Sequence, residues 1–80
     1  MKQALIGKTI QDRREKLSLT QEDIAEMTGI SSRTLYAIET GRANPSLSTL
    51  QKILEVVGLE LFIDIKKINE WKAWYTIMAY

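Results

Sequence analysis

Eighty residues carry 11 Lys and Arg against 10 Asp and Glu, a net charge of +1, with no cysteine and no histidine. One domain fits that length, near the lower limit for a core that folds alone. Disulfides and the common zinc sites are excluded, which leaves oligomerisation as the expected supplement to stability.

The first residues have no apolar h-region, and no run approaches the roughly 18 apolar residues of a membrane span. The expected location is cytoplasmic. Charge alone gives weak support for a nucleic-acid partner. Bases (Lys8, Arg13, Arg14, Lys16, Arg33, Arg42) and acids (Asp12, Glu15, Glu22, Asp23, Glu26, Glu39) are mixed through the first half. An ordinary solvated surface fits that mixture equally well.

A first helix is expected over residues 4–17, with Ile6, Ile10 and Leu17 recurring at helical spacing. Ser18 and Leu19 form its exit. A second helix covers 21–28, with Thr20 as N-cap and Glu22 and Asp23 at the positive end of its dipole. Gly29 ends it, because the residue after a helix often needs positive φ. Ser31 caps a third helix running to about Thr40, and Gly41 terminates it. Asn44-Pro45 marks a turn, Ser46 caps a fourth helix, and Gly58 stops that one. Leu47, Leu50, Ile53, Leu54 and Val57 form its apolar stripe.

At Leu59 the period changes from helical to two. Leu59, Leu61, Ile63 and Ile65 fall on one face, and Glu60, Phe62, Asp64 and Lys66 on the other. That predicts a strand over 59–67. A lone apolar strand edge is unfavourable in water, so pairing with the same strand of a second copy is the economical solution. The expected dimerisation residues are Leu59, Leu61, Phe62, Ile63 and Ile65; a fifth helix or an extended tail on its own domain is the alternative. Residues 68–80 form an aromatic tail, expected to be helical. Trp71, Trp74, Tyr75 and Met78 fall at three- and four-residue spacing. They suit packing on the protein itself or docking of a partner.

Two short capped helices around a tight turn, over residues 19–41, make a helix-turn-helix. On a wheel at about 100° per residue, Leu35 and Ile38 point one way, joined by Thr34. Ser32, Arg33, Tyr36, Ala37 and Thr40 point roughly the other way. Arg33 is the strong base-reading group, since its fork matches guanine O6 and N7. Ser32, Tyr36 and Ala37 complete the expected base contacts. Thr20, Gln21, Thr40, Arg42 and Asn44 are the expected contacts to the DNA backbone. Arg14 and Glu39 both lie next to apolar positions, which predicts a partly buried pair tying the first helix to the third. No catalytic constellation, metal site or cofactor is expected.

The stretches Leu19-Thr20-Gln21-Glu22-Asp23-Ile24-Ala25, Gly29-Ile30-Ser31 and Leu35-Tyr36-Ala37-Ile38-Glu39-Thr40-Gly41-Arg42 resemble the Cro/repressor type of helix-turn-helix, the XRE family. Asn44-Pro45-Ser46-Leu47-Ser48-Thr49-Leu50 continues the resemblance. It implies a mainly α, four- to five-helix, lambda-repressor-like DNA-binding domain over 1–58. It further implies close helix packing at Ala25, a structural role for Gly29 and for an Arg14–Glu39 pair, and a regulator acting on double-stranded DNA. The segment Gly58-Leu59-Glu60-Leu61-Phe62-Ile63-Asp64-Ile65 resembles the narrower HipB-like antitoxins. That resemblance implies a homodimer joined by C-terminal strands, repression of its own operon and a kinase-type toxin partner; a two-fold dimer with one third helix in each major groove would read a palindromic operator.

Overall fold

The structure is a computed structural model that describes residues 3–63 and residue 65. Four helices follow in order: α1 Gln3–Lys16, α2 Gln21–Thr28, α3 Ser32–Glu39 and α4 Leu47–Val56. α3 packs against α1 and α2, and α2 also packs against α4. The core they enclose is Ile10, Ile24, Leu35, Ile38, Leu50, Ile53, Leu54 and Val57.

Local chemistry sets the helix ends. Thr20 accepts from the Asp23 N–H at 3.0 Å while Asp23 accepts from the Thr20 N–H at 2.8 Å, a reciprocal capping box. Ser31 and Ser46 cap α3 and α4 by accepting from Thr34 and Thr49. α3 closes with Gly41 in the left-handed region at φ 75°. There the Arg42 N–H reaches the Ala37 carbonyl and the Gly41 N–H that of Ile38. α1 closes by the same pattern, with the Leu19 N–H on Arg14 and the Ser18 N–H on Glu15. Here the left-handed position is held by Ser18, at φ 59°.

Two apolar positions depart from the periodicity. Leu17 lies past the end of α1 and is exposed, and Leu47 opens α4 and is 59% exposed. Each extends its stripe beyond the reach of the core. Gly7 carries a constraint that the helical pattern hides. A Cβ on Gly7 would lie 2.6 Å from the Glu39 carbonyl oxygen and closer still to that of Ile38. Glycine inside a helix ordinarily costs about 1 kcal/mol. At this position it lets α1 rest directly on the last carbonyls of α3.

No strand forms among the described residues. Leu59 and Leu61 pack against the core of their own domain, whereas Phe62, Ile63 and Ile65 are exposed. The expected period-two face is therefore divided between an anchored half and an uncovered half. The rest of the strand, Asp64 and residues 66–67, and the tail with Trp71, Trp74, Tyr75 and Met78 lie outside the described residues.

Two substitutions check this account by thermal unfolding. Gly7→Ala forces a methyl against the α3 backbone and is expected to destabilise by about 1–3 kcal/mol. Ser18→Gly relieves a left-handed non-glycine residue and is expected to stabilise by up to about 1 kcal/mol.

Candidate nucleic-acid interface

α3 turns Leu35 and Ile38 into the core and leaves the other side to solvent. Arg33 and Tyr36 are exposed there, and Ser32 and Ala37 are half-buried beside them. Spacings of three and four residues keep these side chains on one surface of the helix. Thr34 is also exposed, although the wheel groups it with the core. Its hydroxyl accepts from Ser31 Oγ at 2.9 Å, which leaves its own proton to point at an outside acceptor.

The expected backbone-contacting residues lie at the start of α2 and at and after the end of α3. Gln21 opens α2, and its Nε2 donates to Glu39 Oε1 at 3.1 Å. One amide hydrogen is thus used internally. The second, with the N–H groups of the first turn, can meet a phosphate. Thr20 uses a hydroxyl lone pair in the capping box and keeps its proton to donate. Thr40 differs: its hydroxyl donates back to the Tyr36 carbonyl at 2.9 Å and lies 3.2 Å from that of Ala37. In that geometry it offers lone pairs, which a phosphate does not need. Arg42 and Asn44 are exposed on the loop that follows α3.

Arg14 and Glu39 form the expected pair. Arg14 Nε meets Glu39 Oε2 at 2.7 Å, and Nη2 meets Oε1 at 3.0 Å. Nη1 reaches the Leu19 carbonyl at 2.8 Å. The Glu39 side chain is 2% exposed and that of Arg14 12%. The hydrogen bond to Glu39 raises the Arg14 pKa above its ordinary value despite the opposing effect of desolvation. The guanidinium therefore stays charged throughout the range in which proteins are handled and gives up its proton only in strong alkali. Ala25 is half-buried on α2, and its carbonyl accepts the Gly29 N–H at 2.9 Å, with Gly29 at φ 77°.

A second arginine escapes the sequence reading. Arg13 Nε donates to the Val57 carbonyl at 3.1 Å, across 44 positions of chain. It satisfies an end carbonyl of α4 and fixes the point where the C-terminal segment leaves the domain. Its one sequence signal is a position adjacent to Arg14, on a helix otherwise read for its apolar stripe.

A capped helix, a glycine turn and a second capped helix presenting an arginine to solvent define a helix-turn-helix protein. Residues 10–63 match the helix-turn-helix family model HTH_3, and the chain belongs to that Cro/C1-type family. It is 39% identical over 61 residues to an uncharacterized HTH-type transcriptional regulator of Methanothermobacter thermautotrophicus, covering 76% of this chain and 88% of that protein. It is 38% identical over 67 residues to the HTH-type transcriptional regulator PuuR of Escherichia coli, covering 80% of this chain and 36% of PuuR. The chain thus spans most of the first relative and about a third of the second. Membership places it in a non-enzymatic, DNA-binding class. No helix among the described residues is long and apolar enough to cross a membrane.

The buried pair gives a direct test. Arg14→Met leaves Glu39 without its charge partner and is expected to cost about 3–5 kcal/mol in urea unfolding. Adding Glu39→Leu should recover most of that loss. A double variant no more stable than the single one would show that the pair is not the cause.

Proposed function

We propose that the protein is a homodimeric, sequence-specific transcriptional regulator, a repressor, that lays α3 in the major groove of a palindromic operator. The carrying observation is the exposed Arg33–Tyr36 surface on the side of α3 away from the core, close in sequence to exposed Arg42 and Asn44. Arg33 reads guanine, with Ser32, Tyr36 and Ala37 on neighbouring base and sugar surfaces. Gln21, Thr20, Arg42 and Asn44 hold phosphates and fix the register. Thr40 joins them if its hydroxyl turns away from the Tyr36 carbonyl.

The dimer in this reading forms through the C-terminal segment. Phe62 and Ile63 expose large apolar surface immediately after a segment anchored to the domain by Leu59 and Leu61. Pairing of two such segments covers it and presents two α3 helices about one DNA turn apart, roughly 34 Å. A net charge of +1 gives a single domain little electrostatic grip, so two linked domains supply the affinity. A second reading keeps the dimer and makes it an antitoxin that neutralises a kinase-type toxin through the dimer surface. An adjacent gene for such a toxin, with its product binding the dimer, would support that role; the absence of such a gene would leave the regulator alone.

Selection from random DNA, read beside the mass in solution, tests the proposal. A palindrome and a dimeric mass are expected; no enriched site would overturn it. Arg33→Ala should weaken operator binding by about 1–3 kcal/mol and relax preference at one base pair of each half-site. Phe62→Glu should yield a monomer that keeps its fold and loses operator affinity.

A further inference from the structure

Two hollows flank Leu61. One lies between α4 and the departing chain and is walled by Leu54, Leu59 and Phe62, but also by Glu55 and Glu60. The other, about 550 Å³, opens between the start of α1, the loop after α3 and α4. Its apolar walls are Ile6, Ile38, Pro45, Leu47, Leu50 and Leu61, and its polar lining is Gln3 and Asn44. Among the described residues, no charged one lines it. Leu47 stands at its mouth and is 59% exposed, so an apolar concavity faces water with nothing described inside it. Ile38 and Leu50 reach it from the core and are buried, so its open apolar surface comes from Ile6, Pro45, Leu47 and Leu61.

We propose that this uncharged hollow is the docking site for the C-terminal segment of the same chain, residues 69–80, which inserts Trp71, Trp74 and Met78. The chain itself leads there, because Leu61 forms one wall and Trp71 follows ten positions later. Ten residues reach at most about 33–36 Å, enough to leave past Ile63 and return. At helical spacing, Trp71, Trp74, Tyr75 and Met78 form a face free of charge, while Glu70 and Lys72 fall to its flanks. An uncharged face suits the uncharged hollow. In the other hollow, Glu55 and Glu60 would have to lose their hydration against the rings. Docking adds side chains against Pro45 and Leu47, so it buttresses the loop that carries Arg42 and Asn44. The proposal stands independently of what DNA the protein reads.

The chain contains two tryptophans, and both lie in this segment, so intrinsic fluorescence reports its position alone. The full chain is expected to emit to the blue of its urea-unfolded form and to resist iodide quenching several-fold better. Leu47→Lys puts a charge at the mouth from an exposed position, so the fold should survive, as far-UV circular dichroism would verify. The emission should then move to the red, and quenching should rise toward the unfolded value. Phe62→Glu separates the chain's own segment from that of a second copy. The blue emission should persist in that monomer, and its loss would overturn docking within one chain. Tryptophans of the wild-type protein that quench as in urea, or emission unmoved by Leu47→Lys, would overturn the proposal outright. A blue shift that appears only when another protein is added would do the same, since the hollow would then not be filled by its own tail.

Discussion

Glu39 is the group on which the arrangement of this domain turns. Its carboxylate is almost wholly buried, and three donors converge on it: two from Arg14 and one from Gln21. The same guanidinium holds the Leu19 carbonyl. One ion pair therefore joins α1, the turn after it, the first residue of α2 and the last residue of α3. A buried carboxylate is tolerable only when its lone pairs are filled. This one is filled by groups from α1 and from the first residue of α2. The angle between the start of α2 and the axis of α3 is thereby set by charge geometry as well as by the apolar core.

Close approach makes that geometry possible. Arg14 reaches Glu39 because α1 lies directly on the end of α3, and α1 can lie there because Gly7 has no side chain. The buried pair and the missing side chain sit two helical turns apart on α1 and act on the same helix end. Both add to the hold that Leu35 and Ile38 give α3 in the core. Together they tie the short α3, eight residues long, to the first helix.

Much of this was legible in the sequence, for physical reasons that differ by residue. Thr20, Ser31 and Ser46 announced their helices because capping is local and needs only a side-chain oxygen at the right position. Arg33 and Tyr36 fell opposite Leu35 and Ile38 because helical geometry is regular over one short element. The Arg14–Glu39 pair could be anticipated because charges beside apolar positions must find partners. Gly7 could not be read, since its role depends on a carbonyl 31 positions away, and a mid-helix glycine by itself signals only poor propensity. Arg13 and Val57 are distant in sequence for the same reason. Leu17 and Leu47 misled because periodicity has no knowledge of where a core ends, and Thr34 because it sits at the border between two faces. The strand expected at 59–67 falls only partly within the described residues: Leu59 and Leu61 pack on their own domain, and Phe62 and Ile63 are exposed.

The tether from Arg13 to the Val57 carbonyl links the first helix to the root of the C-terminal segment. In a dimer joined by that segment, the direction in which each chain leaves its domain becomes the angle between the two domains. Operator architecture, the number of base pairs between half-sites, would then be written partly in an arginine whose bond is to the end of α4. Relatives that keep the same reading helix but replace this residue could recognise the same half-site at a different pitch.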